Sequence, residues 1–165
     1  MKELHLQDMH KHRAKSAGML KKMSLDNRHR LIGEVVSLLV GSNFHRRYFI
    51  DDIGAVIIPA LDCNQFRIYK EKGKVVGFIS WAYLTSDVDK KYSAGKYNLK
   101  LDDWYKGDIL WTIDFAAPFG HAKEIIADLR NNLFPNSKGK AVRVNNKGEI
   151  TTRLSLLGKN VVTNK

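Results

Sequence analysis

The sequence has one cysteine, Cys63, among its 165 residues. A single thiol forms no internal disulfide and builds no cysteine-rich zinc site. No segment reaches the roughly 18 consecutive apolar residues that mark a membrane-spanning helix. The first residues, Met1-Lys2-Glu3-Leu4-His5-Leu6-Gln7-Asp8, lack the apolar stretch of a secretory signal. These absences predict a cytoplasmic protein. The glycine-rich patterns GxGxxG and GxxxxGK[ST] do not occur, so no dinucleotide or P-loop phosphate cradle is signalled. GxSxG, the nucleophile elbow, does not occur either. His10 and His12 lie close together, but no further Cys or His stands at ligand spacing. They read as solvated residues, and no metal or bound cofactor is expected. Internal repeats and low-complexity tracts are absent too.

What is present is the composition of an ordinary folded chain, with 44% hydrophobic and 27% charged residues. That content of apolar residues excludes disorder for most of the chain, and the length suits one domain. The net charge is +11 and uneven. Residues 1–30 hold eight Lys/Arg against three acids, residues 31–129 twelve against thirteen, and residues 130–165 eight against Glu149 alone. Basic ends around a neutral middle suit an acidic partner: nucleic acid, anionic lipid or an acidic protein.

Hydrophobic periodicity organises the chain. Residues 1–24 show no clean period and read as a basic extension. Ser24 or Asp26 can cap a helix over about 27–40, with Leu31, Val35, Leu38 and Leu39 on its buried face and Gly41 at its end. Three strand-like runs follow at 54–59, 65–70 and 75–82, with Asp62-Cys63-Asn64 and Lys72-Gly73 as turns. They predict an antiparallel three-stranded meander. Thr85-Ser86-Asp87 opens a short helix to Tyr92. Residues 109–117 form a buried strand stopped by Pro118, residues 121–133 a helix, and residues 141–144 a last core strand with a weaker partner at 149–154. The expected fold is α+β, an α/β sandwich with a mostly antiparallel central sheet flanked by helices, over residues 25–158. Residues 159–165 read as a polar tail. The strand–helix–strand unit at the C-terminal end can form a parallel or a split crossover.

Asp114 is the one carboxylate inside the apolar run Leu110–Ala117. Burying it alone costs several kcal/mol, roughly, unless it is paired or hydrogen-bonded. Strict alternation places Thr112, Asp114 and Ala116 on one face and Trp111, Ile113 and Phe115 on the other. His45 follows the first helix in Gly41-Ser42-Asn43-Phe44-His45-Arg46-Arg47. Its two arginine neighbours favour the neutral imidazole, the form that acts as base or nucleophile. Asp114 and His45 can meet as orienting carboxylate and base, although spacing does not show that they do. Arg143, within a strand, suits a carboxylate or phosphate, and an ion pair with Asp114 is the structural alternative. Trp81, Tyr83, Trp104 and Trp111 read as core or pocket lining.

Five ordered segments resemble the RTX toxin-activating lysine acyltransferases, the hemolysin-activating protein family. They are Gly33–Leu39 with Ser42-Asn43-Phe44-His45-Arg46; Ile57–Leu61 with Asn64-Gln65-Phe66; Phe78–Leu84; Trp111-Thr112-Ile113-Asp114-Phe115-Ala116-Ala117-Pro118-Phe119-Gly120; and Ala141–Val144. The fourth is the most specific. The resemblance implies a GNAT-like acyltransferase, usually a homodimer. It implies transfer of a fatty acyl group from acyl-carrier protein to internal lysines of an RTX protoxin in the cytoplasm. His45 and Asp114 carry over as the catalytic pair. Ser42 and Arg143 match positions linked with activity, through substrate, oxyanion or acyl-donor binding. The chain departs from the family in the length of its N-terminal extension, in Phe115 where Trp is common, and in the setting of Tyr48. The readings against which this one stands are a basic domain that binds nucleic acid, and an adaptor that binds protein without catalysis. Membrane-peripheral association is a further consequence the charge allows, whereas no nucleic-acid motif supports the first alternative.

Overall fold

The computed structural model describes residues 23–95, 97–145 and 149–162. Helix α1 spans Leu25–Val40. The Ser24 hydroxyl accepts a hydrogen bond from the Asn27 amide at 3.3 Å, and Asp26 lies in the first turn where the helix dipole favours negative charge. Leu31, Val35, Leu38 and Leu39 form the buried stripe that their spacing predicts. Gly41 follows in a right-handed conformation, so no left-handed cap requires it. Space requires it instead: a Cβ there would lie 2.9 Å from the Phe119 ring.

A 3-10 turn, His45–Arg47, leads into α2, Ile50–Asp52, then a π-turn, Ile53–Ile57, then α3, Ile58–Asp62, wound as one continuous coil. The strand expected at 54–59 is therefore helical. The β-branched run Val56-Ile57-Ile58 mimics a strand locally. The wider pattern is helical, with Ile57, Ala60 and Leu61 buried and Ile53 and Val56 packed against the same core. Pro59 has no N–H to give the preceding turn. The coil widens ahead of it, and the Ile58 amide bonds to the Ile53 carbonyl. Asn64, at φ 52°, ends the coil in the left-handed region.

The expected meander is thus a hairpin of β1, Phe66–Glu71, and β2, Lys74–Leu84. Lys72 and Gly73 both take positive φ, 48° and 80°, as a tight hairpin turn of matching twist demands. Helix α4, Ser86–Ser93, is capped by the Thr85 hydroxyl. Strand β3 is Ile109–Ala116. Helix α5, Ala122–Asp128, runs into a π-turn, Leu129–Leu133, before β4, Lys138–Val144, and β5, Ile150–Leu157.

The five strands lie in the order β1-β2-β3-β4-β5. All neighbours are antiparallel except β3 and β4, which the α5 crossover makes parallel. This is the expected α+β architecture. One face packs on α1, α3 and the residues before them; the other packs on the π-turn after α5 through Ile79, Trp81, Leu110, Leu129 and Leu133.

Two irregularities shape the sheet around Asp114. Between β2 and β3 the register shifts, with Ser80 opposite Asp114 but Trp81 opposite Thr112. The additional residue, Ile113, is a β-bulge. It corrects the strict alternation: Trp111 and Ala116 share the α1-side core, on the same side as Asp114, while Leu110 and Phe115 pack on the α5 side. Then β3 and β4 part. Their ladder has only the pairs Leu110↔Gly139 and Trp111↔Lys140, although β3 runs on to Ala116 and β4 to Val144.

The basic extension, 1–24, lies outside the described residues except at its last two positions, and so do Asn146–Gly148 and residues 163–165. Lys159 and Asn160 donate backbone hydrogen bonds to the Arg130 and Pro135 carbonyls.

Candidate active site

The parting of β3 and β4 leaves a cleft of about 700 Å³. Its walls are mostly apolar, with Ile79, Phe115, Ile126, Leu129, Val142 and Leu156 among them. His45 and Asp114 are its buried polar residues, at 7% and 6% side-chain exposure.

The end of α1 brings His45 to the sheet. Its Nε2 lies 2.8 Å from Asp114 Oδ1 and its Nδ1 2.7 Å from Ser42 Oγ. A carboxylate offers only lone pairs, so Nε2 carries the proton of the neutral ring and donates it to Asp114. Nδ1 is then the acceptor of the Ser42 O–H. The Ser42 oxygen in turn accepts the backbone N–H of His45 at 3.4 Å. The imidazole plane is held edge-on by Phe44 at 5.0 Å and Tyr48 at 5.2 Å. Phe119, from the Ala-Pro-Phe-Gly turn after β3, packs against Gly41 and joins the two segments that carry the pair.

Asp114 is fixed as firmly. Its backbone N–H donates to the buried Ser80 hydroxyl at 3.2 Å, and its Oδ1 also accepts the Phe115 N–H at 2.8 Å. Oδ2 is buried with no hydrogen-bond partner. A buried acceptor without a donor is the kind of exception that functional sites retain. Burial, and then the Asp114 charge, push the Tyr92 hydroxyl up to about 12 and raise the Tyr48 hydroxyl as well. Both cleft phenols therefore stay protonated at neutral pH.

Three of the four residues singled out by sequence, Ser42, His45 and Asp114, form one hydrogen-bonded chain. Arg143 does not join it. It lies exposed on β4, across the divergence, and lines the same cleft; the ion pair of Asp114 is with His45. Sequence reasoning did not find Ser80 or Tyr92. A serine inside the run Phe78-Ile79-Ser80-Trp81 was the available signal for the first. Among the described residues, no three His, Cys, Asp or Glu side chains are placed to hold a metal ion. None of the helices described is long and apolar enough to cross a membrane.

Comparison with known proteins fixes the class first: an acyltransferase of α+β fold. More narrowly, the chain belongs to the RTX toxin acyltransferase family, whose sequence model matches residues 24–157. Among its relatives is the RTX-II toxin-activating lysine-acyltransferase ApxIIC of Actinobacillus pleuropneumoniae, 30% identical over 87% of this chain and 89% of that protein. The RTX-I toxin-activating lysine-acyltransferase ApxIC of the same organism is 36% identical over 69% of this chain and 66% of its own. An uncharacterized protein of Synechocystis sp. is 33% identical over 79% of this chain and 90% of its own.

Proposed function

We propose that this protein is a protein-lysine fatty acyltransferase that activates an RTX protoxin in the cytoplasm, taking its acyl group from acyl-carrier protein and acting as a homodimer. The observation that carries this reading is the His45–Asp114 pair, buried at the wall of a large apolar cleft. The names of the relatives support the acceptor, a toxin lysine. The cleft supports a fatty donor, because each methylene buried in it contributes about 0.8 kcal/mol.

The chemistry follows from the geometry. A lysine ε-ammonium, with an ordinary pKa of about 10.4, must lose a proton to attack a thioester. Nδ1 holds the only lone pair of the neutral His45 ring, and the Ser42 hydroxyl already bridges to it. The ammonium first gives one proton to solvent; the neutral amine's own proton then passes through that hydroxyl to the ring as its nitrogen bonds to the carbonyl carbon. Asp114 stabilises the imidazolium that forms. The C–S bond then breaks, the thiolate takes up the proton that His45 received from the amine, and an amide and a free thiol remain. Arg143, on the opposite wall, is the cation for an anionic group of the donor arm.

Intact-mass and tandem mass spectrometry test this, with purified protein, acyl-carrier protein charged with a fatty acid, and a toxin fragment. The expected result is one acyl mass per modified lysine, lost in His45→Ala. Full transfer by His45→Ala would sink the proposal. Light scattering on the same sample reads the oligomeric state.

A further inference from the structure

The vertex of the cleft is tied by three side chains that the mechanism leaves unused. Asp89, on α4, accepts the Trp111 indole N–H at 2.8 Å and the Lys140 ammonium at 2.8 and 2.9 Å. Trp111 and Lys140 face each other in the second and last pair of the β3–β4 ladder. One carboxylate therefore joins α4 to both strands at the point where they part. The Lys140 ammonium also lies over the indole, 5.8 Å from the ring centre. Gly139, in the other pair, is packed so closely that a Cβ there would lie 3.1 Å from Leu110. Tyr92, three residues after Asp89, meets Trp111 edge-on at 5.1 Å and lines the cleft. The knot is thus continuous with the cleft wall.

We propose that Asp89 is a positioning residue that sets how widely β3 and β4 diverge, and so which acyl-chain length the cleft selects. The proposal rests on the acyltransferase reading of the cleft. Two backbone rungs alone make a weak hinge, and apolar side chains slide past one another. Directed hydrogen bonds to one buried carboxylate fix the angle instead, because breaking either leaves a desolvated polar group unpaired. Neither Asp89 nor Lys140 lines the cleft, so neither selects a chain by contact.

The test uses Asp89→Asn, which keeps the volume, and Lys140→Met, which keeps an unbranched chain and removes the ammonium. Octanoate, laurate and palmitate compete for the cleft against a fluorescent fatty acid. Wild-type protein is expected to separate the three by about tenfold or more, and both variants to compress that to about twofold. The charge exchange Asp89→Lys with Lys140→Asp is expected to restore part of the separation. Variants that keep the wild-type spacing of affinities, at whatever melting temperature, overturn the proposal. So does wild-type protein that does not distinguish the three. A transfer assay on the same samples separates the two claims. Wild-type protein that ranks the fatty acids but transfers none sinks the acyltransferase reading and leaves the clamp standing.

Discussion

His45 is held at both ring nitrogens, and the two partners do different things. Asp114→Asn keeps the shape of the carboxyl but can present an N–H to Nε2, which then needs the lone pair. The ring would change tautomer and turn its proton toward Ser42. We expect His45→Ala and Asp114→Asn each to lower kcat by a factor of about 10² to 10⁴, with thermal unfolding still cooperative. Ser42→Ala should cost about tenfold, the worth of one hydrogen bond, with little change in KM for either substrate. Steady-state kinetics on the three variants decides it, and a fully active Ser42→Ala would remove the hydroxyl from the proton path. Asp114 was legible in the sequence because a lone carboxylate in an apolar strand needs a reason. His45 was not legible from its own neighbourhood, since a histidine beside two arginines fits many surfaces. The motifs carried by the resemblance singled it out.

At the scale of elements, close packing sets limits that composition does not show. Gly107 donates its N–H to the Tyr83 carbonyl at 2.7 Å, and a Cβ on it would lie 1.8 Å from the Leu84 carbonyl carbon. Backbone cannot yield as a side-chain tip can. Gly107→Ala should therefore cost at least about 2 kcal/mol, seen as a lower denaturant midpoint at unchanged slope. Asp89 adds a pH signature. Burial alone would raise its carboxyl, but the hydrogen bonds from Lys140 and Trp111 outweigh that and hold it below its ordinary 3.8. A depressed carboxyl stabilises the fold above its unfolded value and stops doing so as pH falls through the folded one. Asp89→Asn should therefore lower stability at pH 7. Its difference from wild type should shrink below about pH 4, in melts taken across the range. A constant difference would detach Asp89 from the acid limb. Elements with a strong period were legible: α1, with Ser24 one of the two caps expected, the Lys72-Gly73 hairpin, and the helix of the C-terminal strand–helix–strand unit, whose parallel crossover the structure decided. The coil at 50–62 was not, because three β-branched residues outweigh a helical stripe when the window is short. The Ile113 bulge was not either, because one strand does not reveal the register of its neighbour.

For the whole molecule, the basic C-terminal segment, residues 130–165, has a place in the fold. It supplies β4 and β5, so Arg143 and the exposed Lys138 stand on the strand that forms one wall of the cleft. Positive charge beside the site suits an acidic donor protein, whose encounter salt would screen. With the acyl donor well below saturation, transfer should slow as salt rises from about 0.05 to 0.5 M. A rate indifferent to salt would leave the net charge of +11 without a part in donor capture. The sequence by itself determined the composition, the charge division, most elements and the unusual carboxylate, because periodicity, caps and turns are decided by neighbours within a few residues. Only the tertiary structure decided that His45 and Asp114, 69 positions apart, share a hydrogen bond, and that β3 and β4 part over a cleft knotted at Asp89. Those contacts depend on strand register and on helix ends laid against a sheet. No local pattern encodes them.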